Sequence, residues 1–315
     1  MSKSKLSNTA VMVPLALLCC FLWGSAFPMV KTGYELFGVG ENDTASQILF
    51  AGMRFALAGI LVIIFGSAIA KKPLYPKTKS EVGHILILAL FQTVLQYIAF
   101  YIGLAHTSGV KSSVLVSLNV FLSLIISALV FKMEKLTVAK LAGVVVGFAG
   151  VVIINFEAGG FAGFSLNGEG AIIFSAFAYS VSSVLIKKYS ASENPVMLSG
   201  WQFFVGGVVM IVGGLAFSGR VDISLSVVNF AALLYLALIS AVAYTIWGLL
   251  LKHNPVSKVA VIGFTNPVFG VLLSALFLGE TAEAFNFKNL VSLILVCIGI
   301  YIVNAKFSKN KTASS

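Results

Sequence analysis

The segment Trp23-Gly-Ser-Ala-Phe-Pro-Met-Val-Lys31 has a counterpart about 150 residues later, in Tyr179-Ser-Val-Ser-Ser-Val-Leu-Ile-Lys187. Farther along, Gly52-Met-Arg-Phe aligns with Gly200-Trp-Gln-Phe, and His106, Lys111 and Asn119 align with His253, Lys258 and Asn266. Because the matches keep the same order and nearly the same spacing, they indicate an internal duplication. Duplicated halves are typical of secondary transporters, whose substrate site lies between the repeats near the membrane midplane.

Long apolar segments place the chain in a membrane. Hydrophobic residues make up 59% of the 315 positions and charged residues only 10%, against roughly a quarter charged in a soluble domain. Each run is long enough to cross a hydrocarbon core of about 30 Å as a helix, and the runs lack the alternation of membrane strands. We therefore predict an all-α integral membrane protein, with spans at 11–31, 46–70, 83–104, 110–131, 137–155, 168–187, 196–217, 228–251, 256–278 and 287–305.

Ten spans in two copies give five spans per copy, and an odd number inserts the second copy upside down relative to the first. The predicted organisation is a first repeat over residues 1–155, a Gly-rich linker over 156–167, a second repeat over 168–305 and a cytoplasmic tail over 306–315. With the N-terminus inside, the loops on the cytoplasmic side hold 16 of the 21 basic residues. The positive-inside rule therefore places both termini in the cytoplasm and explains the net charge of +10 without nucleic acid.

The ends of the two halves carry the most specific local motif. Asn266-Pro-Val-Phe-Gly-Val-Leu-Leu-Ser-Ala-Leu-Phe-Leu-Gly-Glu280-Thr is followed by a last span that ends Gly299-Ile-Tyr-Ile-Val-Asn304. The first half repeats the motif from Asn119 to Glu134 and ends Gly150-Val-Val-Ile-Ile-Asn155. This pattern resembles the repeat of the EamA family in the drug/metabolite transporter superfamily, although Val120 stands where that family often has proline.

The resemblance implies ten helices, a central cavity built by the first four spans of each half, and peripheral fifth and tenth spans. Polar and aromatic residues in those central spans are the candidates for substrate binding. They are Trp23, Arg54, Gln96, Tyr97, Asn119, Tyr179, Trp201, Gln202, Tyr244, Trp247 and Asn266. Rings would grip an apolar part of a small solute and amides its polar head group, while the alternative for any one ring is ordinary helix packing.

Arg54 is the one basic residue placed well inside a predicted span. A charge at that depth costs roughly 2.5 to 3.5 kcal/mol, so the side chain should face a cavity or a partner. Facing a cavity, its planar fork suits a carboxylate or phosphate. The alternative is that it reaches the interface or braces backbone carbonyls between helices. Its counterpart in the second half is the neutral Gln202.

No Asp or Glu lies near the middle of a predicted span; Glu134 and Glu280 sit at helix ends, where helix-start electrostatics is the expected role. A bare cation would find no counter-charge, and no buried acid is present to couple a proton gradient. The three histidines and three cysteines have no metal-ligand spacing, and neither a G-x-S-x-G nor a Walker lysine motif occurs. We predict no enzymatic activity, no cofactor and no metal.

The resulting prediction is a carrier of the plasma membrane that exports small metabolites by alternating access, with amino acids or similar zwitterions as the favoured substrates. A drug-efflux carrier is the alternative, and a receptor or a membrane enzyme is a remote one. The expected partners are a small-molecule substrate and the lipid bilayer. Gly143-Val-Val-Val-Gly147 on the fifth span is a small-residue motif for close helix packing, which leaves a homodimer open.

The unequal distribution of lysines between the two sides of the membrane predicts a topology that can be tested. A single cysteine introduced at Lys77 should react with a membrane-impermeant maleimide only from the cytoplasmic side, and one at Asn42 only from outside. Reaction of the Asn42 position from inside would contradict both the orientation and the inverted duplication.

Overall fold

The computed structural model describes residues 5–133, 135–155, 164–222, 226–254, 259 and 261–304. Regular structure in these ranges is entirely helical, in agreement with the all-α prediction. We number the long helices α1 (Thr9–Leu36), α2 (Thr44–Ala70), α3 (Lys79–Ala105), α4 (Gly109–Val130), α5 (Val138–Asn155), α6 (Leu166–Tyr189), α7 (Pro195–Ala216), α8 (Val227–His253), α9 (Thr265–Phe277) and α10 (Phe287–Asn304).

Eight helices, α1 to α8, are long and apolar enough to cross a membrane, while α9 and α10 are shorter apolar helices. A 3₁₀ turn at Val261–Phe264 leads into α9, and the rest of the predicted ninth span before it lies mostly outside the described residues. Also outside the described residues are the predicted tail, Glu134, Lys258 and linker residues 156–163. The observed helix α6 begins at Leu166, two residues before the predicted start of the second repeat.

Short polar residues begin most of these helices by binding backbone N–H groups that lack a partner in the first turn. Thr78 and Glu81 form a reciprocal capping box at the start of α3. Asn194 caps α7 just before Pro195, where a missing N–H costs nothing. The caps of α1, α2, α4 and α8 are Asn8, Asp43, Ser108 and Ser226.

The first helix departs from its predicted bounds, since it continues to Leu36 instead of ending at Lys31. The apolar run stops at Lys31 because of the charge, but the helix continues because Tyr34 is buried and packs on Phe50 and Tyr101. Lys31 lies on the partly exposed side, 3.7 Å from a carboxylate oxygen of Glu280.

Helices α2 and α7, which are counterparts in the duplication, cross in backbone contact. Gly52 of α2 lies against Gly207 and Ile211, and Gly59 lies against Gly200 and Phe204. A Cβ atom on Gly52 would come within 2.6 Å of the Ile211 nitrogen, so only glycine permits this approach. As the residue number rises along α2, the residue number of the contact on α7 falls, so the two helices run antiparallel.

Helices α5 and α10 repeat this arrangement at the edge of the bundle. A Cβ on Gly143 would lie 2.9 Å from the Gly299 carbonyl oxygen, and Ser292 donates a hydrogen bond to the carbonyl of Gly150. These two helices are also antiparallel. The small-residue motif at Gly143 and Gly147 therefore serves close helix packing, as predicted, and here it does so within the chain. The homodimer stays a prediction.

The remaining contacts follow the same exchange of halves. Helix α1 packs against α8 and α9, and α6 packs against α3 and α4; α2 contacts α8, and α7 contacts α3. Each contact therefore has an equivalent in which both helices are replaced by their counterparts in the other half: α1–α8 corresponds to α6–α3, α1–α9 to α6–α4, and α2–α8 to α7–α3. The four helices α1, α3, α6 and α8, together with parts of α4 and α9, surround the centre of the bundle.

The α2–α7 crossing can be tested with one substitution at two sites of the same helix. In Gly207→Ala the new methyl group would fall on the backbone of Ala56, whereas Gly213 has nothing within 4 Å of that position. We expect Gly207→Ala to destabilise the protein by about 1 to 3 kcal/mol through overpacking and Gly213→Ala to be close to neutral. Thermal unfolding in detergent, followed by loss of the monodisperse chromatography peak, measures the difference. Equal melting temperatures would contradict the crossing.

Candidate functional site

A cavity of about 610 Å³ lies between the two halves. Its lining comes from α1, α2, α3, α4, α6 and α8, with single residues of α5 and α10 and the beginning of α9. The volume is typical of small-molecule sites. The cavity reaches one end of the bundle, where Lys140 near the start of α5 and Lys187 near the end of α6 contribute to the lining.

Most of the residues predicted to bind substrate meet at this cavity. Those in its lining are Trp23, Arg54, Gln96, Tyr97, Asn119, Tyr179, Tyr244, Trp247 and Asn266. They come from seven different helices, so only the folded bundle brings them together.

Trp201 and Gln202 were also predicted, but the structure places both of them away from the cavity. The Trp201 indole donates a hydrogen bond to the Leu74 carbonyl at 2.9 Å, which ties α7 to the segment between α2 and α3. Gln202 is fully buried, and its amide oxygen accepts a hydrogen bond from the Thr93 hydroxyl at 2.5 Å. Both side chains therefore pack α7 against neighbouring segments.

Arg54 is 2% exposed and joins three helices. Its Nε donates to the Leu236 carbonyl at 2.9 Å, while Nη1 donates to the Tyr101 hydroxyl at 3.0 Å and Nη2 to Ser240 Oγ at 3.1 Å. The guanidinium also lies 5.9 Å from the ring centre of Tyr97. Among the described residues no carboxylate lies within 4.0 Å of it, so its charge is held by dipoles and rings alone.

Both expectations for Arg54 therefore describe part of what is found. The side chain braces a backbone carbonyl, and it also lines the cavity. A guanidinium has five N–H groups, and the three bonds to protein use three of them. The groups that remain are suited to a planar anion.

Aromatic side chains form the wall next to Arg54. The Trp23 ring contacts Tyr244 and Trp247 edge to face, at centroid distances of 5.5 and 5.1 Å. The hydroxyls of Tyr97 and Tyr244, counterparts in the duplication, share a hydrogen bond of 3.2 Å. These contacts fix the ring planes in advance, which lowers the entropy cost of stacking a ligand against them.

Four polar atoms of the lining are buried without a hydrogen-bond partner among the described residues: Trp23 Nε1, Gln96 Oε1, Ser127 Oγ and Asn266 Oδ1. Buried polar groups are nearly always paired in native proteins, and leaving one unpaired costs about 1 to 3 kcal/mol. Besides the N–H groups of Arg54, the lining thus offers one donor on Trp23, two acceptors on Gln96 and Asn266, and the Ser127 hydroxyl, which can donate or accept. A ligand that paired with these atoms would recover this cost.

Other polar residues of the lining were not identified from the sequence. On α6, Ser175, Ser183 and Lys187 recur at every fourth residue with the predicted Tyr179 between them, and on α4 Ser123 and Ser127 follow the predicted Asn119 at the same interval. Residues four apart lie on one helix face. A polar stripe in an otherwise apolar helix was therefore the available signal, but it is weak because serine is also tolerated against lipid.

At the opposite end of the bundle the halves close on each other. The Glu280 carboxylate accepts hydrogen bonds from the backbone N–H groups of Gly109 and Val110, at 3.0 and 2.9 Å. The Ser108 hydroxyl donates to Glu283 at 2.6 Å. Helix-start electrostatics was the expected role of Glu280, and the helix start that it binds is that of α4, in the other half.

Two serines that correspond in the duplication show how the ends differ. Ser127, near the end of α4, lines the cavity. Ser274 of α9 instead lies against Gly109, where an added Cβ would be 3.0 Å from the Ser274 Cβ. Helices α4 and α9 therefore touch at one end of the bundle and border the cavity at the other.

Comparison with known proteins agrees with this architecture. The model of the EamA-like transporter family matches residues 10–156 and again residues 166–305. A probable amino-acid metabolite efflux pump of Salmonella typhimurium is 27% identical over 95% of this chain and 96% of its own length. The protein of the same description in Escherichia coli is 27% identical over 91% and 93%. An uncharacterized transporter of Bacillus subtilis is also 27% identical, over 95% and 94%.

One solved crystal structure superposes on the chain with a TM-score of 0.63, covering 91% of this chain and 95% of the other at 19% sequence identity. At that identity the match speaks for the fold alone. Within the described part of the chain, no group of three His, Cys, Asp or Glu side chains is placed to hold a metal ion.

The difference between the two ends predicts different chemical access for the paired serines. In a chain whose own cysteines are replaced by alanine, Ser127→Cys should react with a polar maleimide from the side that bears Lys140 and Lys187. Ser274→Cys should react at least about tenfold more slowly from either side, because it packs against Gly109. Sealed vesicles of both orientations provide the measurement. Similar rates at the two positions would show that the cavity is not open at one end.

Proposed function

Since the chain belongs to the EamA-like transporter family, we propose that it is a secondary carrier that exports small metabolites across the plasma membrane by alternating access. Amino acids and similar zwitterions are the substrates we favour. Relatives of the same length are described as probable amino-acid metabolite efflux pumps, which supports this class. The membrane position is supported by eight apolar helices of sufficient length.

The proposed architecture is two five-helix repeats, 1–155 and 168–305, of opposite orientation, with both termini in the cytoplasm. Its support is geometric: the counterparts α2 and α7 run antiparallel, and so do α5 and α10. Inverted repeats place the substrate site at their interface and let the two halves exchange roles between access states. In this arrangement the open end of the cavity faces the cytoplasm, where the lysines are concentrated.

The observation that carries the substrate proposal is Arg54. It is a buried cation that lines the cavity, and no described carboxylate neutralises it. A ligand carboxylate would supply the missing counter-charge through charge-assisted hydrogen bonds, which are about twice as strong as neutral ones. Since the described lining contains no Asp or Glu, the ligand provides the negative charge.

The remainder of the lining suits the rest of a zwitterion. The unpaired oxygens of Gln96 and Asn266 can accept hydrogen bonds from an ammonium group, and the faces of Trp23 and Trp247 attract a cation. An apolar side chain would occupy the part of the cavity lined by Phe27 and Phe100. Efflux of cationic drugs, the second candidate, is favoured only by the aromatic rings and opposed by the charge of Arg54.

Ligand identity can be approached without knowing the substrate in advance. The purified protein is screened by thermal shift against amino acids, organic acids, nucleosides and amines, because a ligand that binds only the folded state raises its melting temperature. Compounds that stabilise the protein are then tested for flux in proteoliposomes. Binding without flux would indicate a receptor, and stabilisation by amines alone would contradict the proposed substrate class.

Arg54→Gln gives the sharpest test of the carboxylate assignment. For solutes that carry a carboxylate we expect affinity to fall about 10-fold to 150-fold, the equivalent of about 1.5 to 3 kcal/mol for a hydrogen bond to a charged group. For the matching amides the change should be several times smaller. Trp201→Phe, outside the cavity, is the control and should leave both affinities unchanged. The assignment fails if the unmodified protein binds acid and amide analogues equally well.

A further inference from the structure

The closed end of the bundle holds a compact set of polar contacts between the halves, which we call the latch. It consists of Lys31, Ser108, Gly109, Glu280 and Glu283. Lys31, Ser108 and Gly109 belong to the first half, and both glutamates belong to the short segment between α9 and α10 in the second half. None of these residues is in the lining of the cavity.

Glu280 makes the central contact of the latch. Both of its carboxylate oxygens accept backbone N–H groups from the first turn of α4, and the Lys31 ammonium is 3.7 Å away. The side chain is only 14% exposed. A carboxylate at a helix N-terminus satisfies N–H groups that otherwise lack partners and interacts favourably with the helix dipole. The contact therefore holds α4 firmly against the second half.

A second polar contact at the same end connects the halves differently. Glu169, at the start of α6, binds the Lys111 ammonium at 3.1 Å and the Thr107 hydroxyl at 2.9 Å. Its counterpart exists at the other end, where Ser7 and Asn254 link the end of α8 to the residues before α1. A contact that is present at both the open and the closed end does not decide which end is open.

We infer that Glu280 and Glu283 form the gate that closes the outer end of the cavity, and that this gate must open once in every transport cycle. The inference rests on the proposed carrier function and on the contrast between the ends. Helices α4 and α9 meet at the latch but border the cavity at the other end. Alternating access requires that closure to exchange between the ends, whereas the Glu169 contact persists.

The test measures access to the cavity from outside and does not depend on knowing the substrate. Cys19, Cys20 and Cys297 are replaced by alanine, and Ala26, which lines the cavity on α1, is changed to cysteine as the probe. The labelling rate by a membrane-impermeant maleimide is recorded in intact cells. Glu280→Gln should raise that rate about tenfold, because losing the charge weakens the hold on α4 and on Lys31.

Three further variants separate the gate from general loosening of the protein. Ser108→Ala, which removes the bond to Glu283 and the cap bond from the Lys111 N–H but leaves Glu280 in place, should give a smaller increase and covers the case in which Glu280→Gln does not fold. Glu169→Gln removes a charge from the same end but belongs to the persistent contact, and it should leave external labelling unchanged. Glu35→Gln, an exposed carboxylate at that end, should do the same.

The possible results divide clearly. Faster external labelling in Glu280→Gln and Ser108→Ala, with no change in Glu169→Gln and Glu35→Gln, supports the gate. An equal increase in all four variants, or none in Glu280→Gln, overturns it, and so does acceleration seen only from the cytoplasmic side. If labelling behaves as expected while no solute is transported in liposomes, the carrier function is wrong and the latch is still a conformational gate.

Discussion

The glycine crossing of α2 and α7 holds the two halves in backbone contact and positions the helices that pack beside it. Gly52 and Gly59 on one helix and Gly200 and Gly207 on the other let two backbones touch at the interface of the halves. In lipid, where water does not drive helices together, close van der Waals packing of small residues is a principal source of association. Helices α8 and α3 then pack beside the crossing in equivalent places, one for each half.

The duplicated framework carries different chemistry in its two copies. Arg54 of α2 binds Ser240 of α8, while its counterpart Gln202 of α7 binds Thr93 of α3, the residue that corresponds to Ser240. Both halves thus have a side-chain hydrogen bond between the same two equivalent positions. Only the first bridge carries a charge and only the first lies at the cavity, so one copy supplies the group best suited to an anion and the other supplies packing.

Much of the framework follows from the sequence, because lipid tolerates few backbone solutions. The apolar runs locate the eight helices that are long enough to cross a membrane to within about five residues at either end, and the aligned motifs identify which helices correspond. The end of α1 was mistaken because a lysine near a helix end can stay helical while its ammonium reaches a carboxylate. Trp201 was misplaced because a ring in a span indicates burial without indicating which neighbour it meets.

The contacts of Glu280 could not be predicted from the sequence, for a different reason. The two halves present similar groups to both ends of the bundle, so the sequence is compatible with closure at either end, and only a particular conformation shows which contacts form. Ser127 and Ser274 are equivalent in the alignment but not in the structure. Conformational state is a property of the balance between the ends, which single-residue patterns do not encode.

In the proposed carrier, that balance distinguishes the helices that keep their contacts from those that change them. A carrier works only if its access states differ by a few kcal/mol, since a larger gap would trap it in one of them. Hydrogen bonds and exposed ion pairs, worth about 0.5 to 3 kcal/mol each, can be broken at one end and replaced at the other. The glycine crossing lacks such a replacement, because separating two packed backbones would lose contacts along both helices at once. In the proposed carrier, the α2–α7 crossing would therefore act as the fixed axis, and α4 and α9, held at one end by a few polar groups, would be the elements that exchange their contacts.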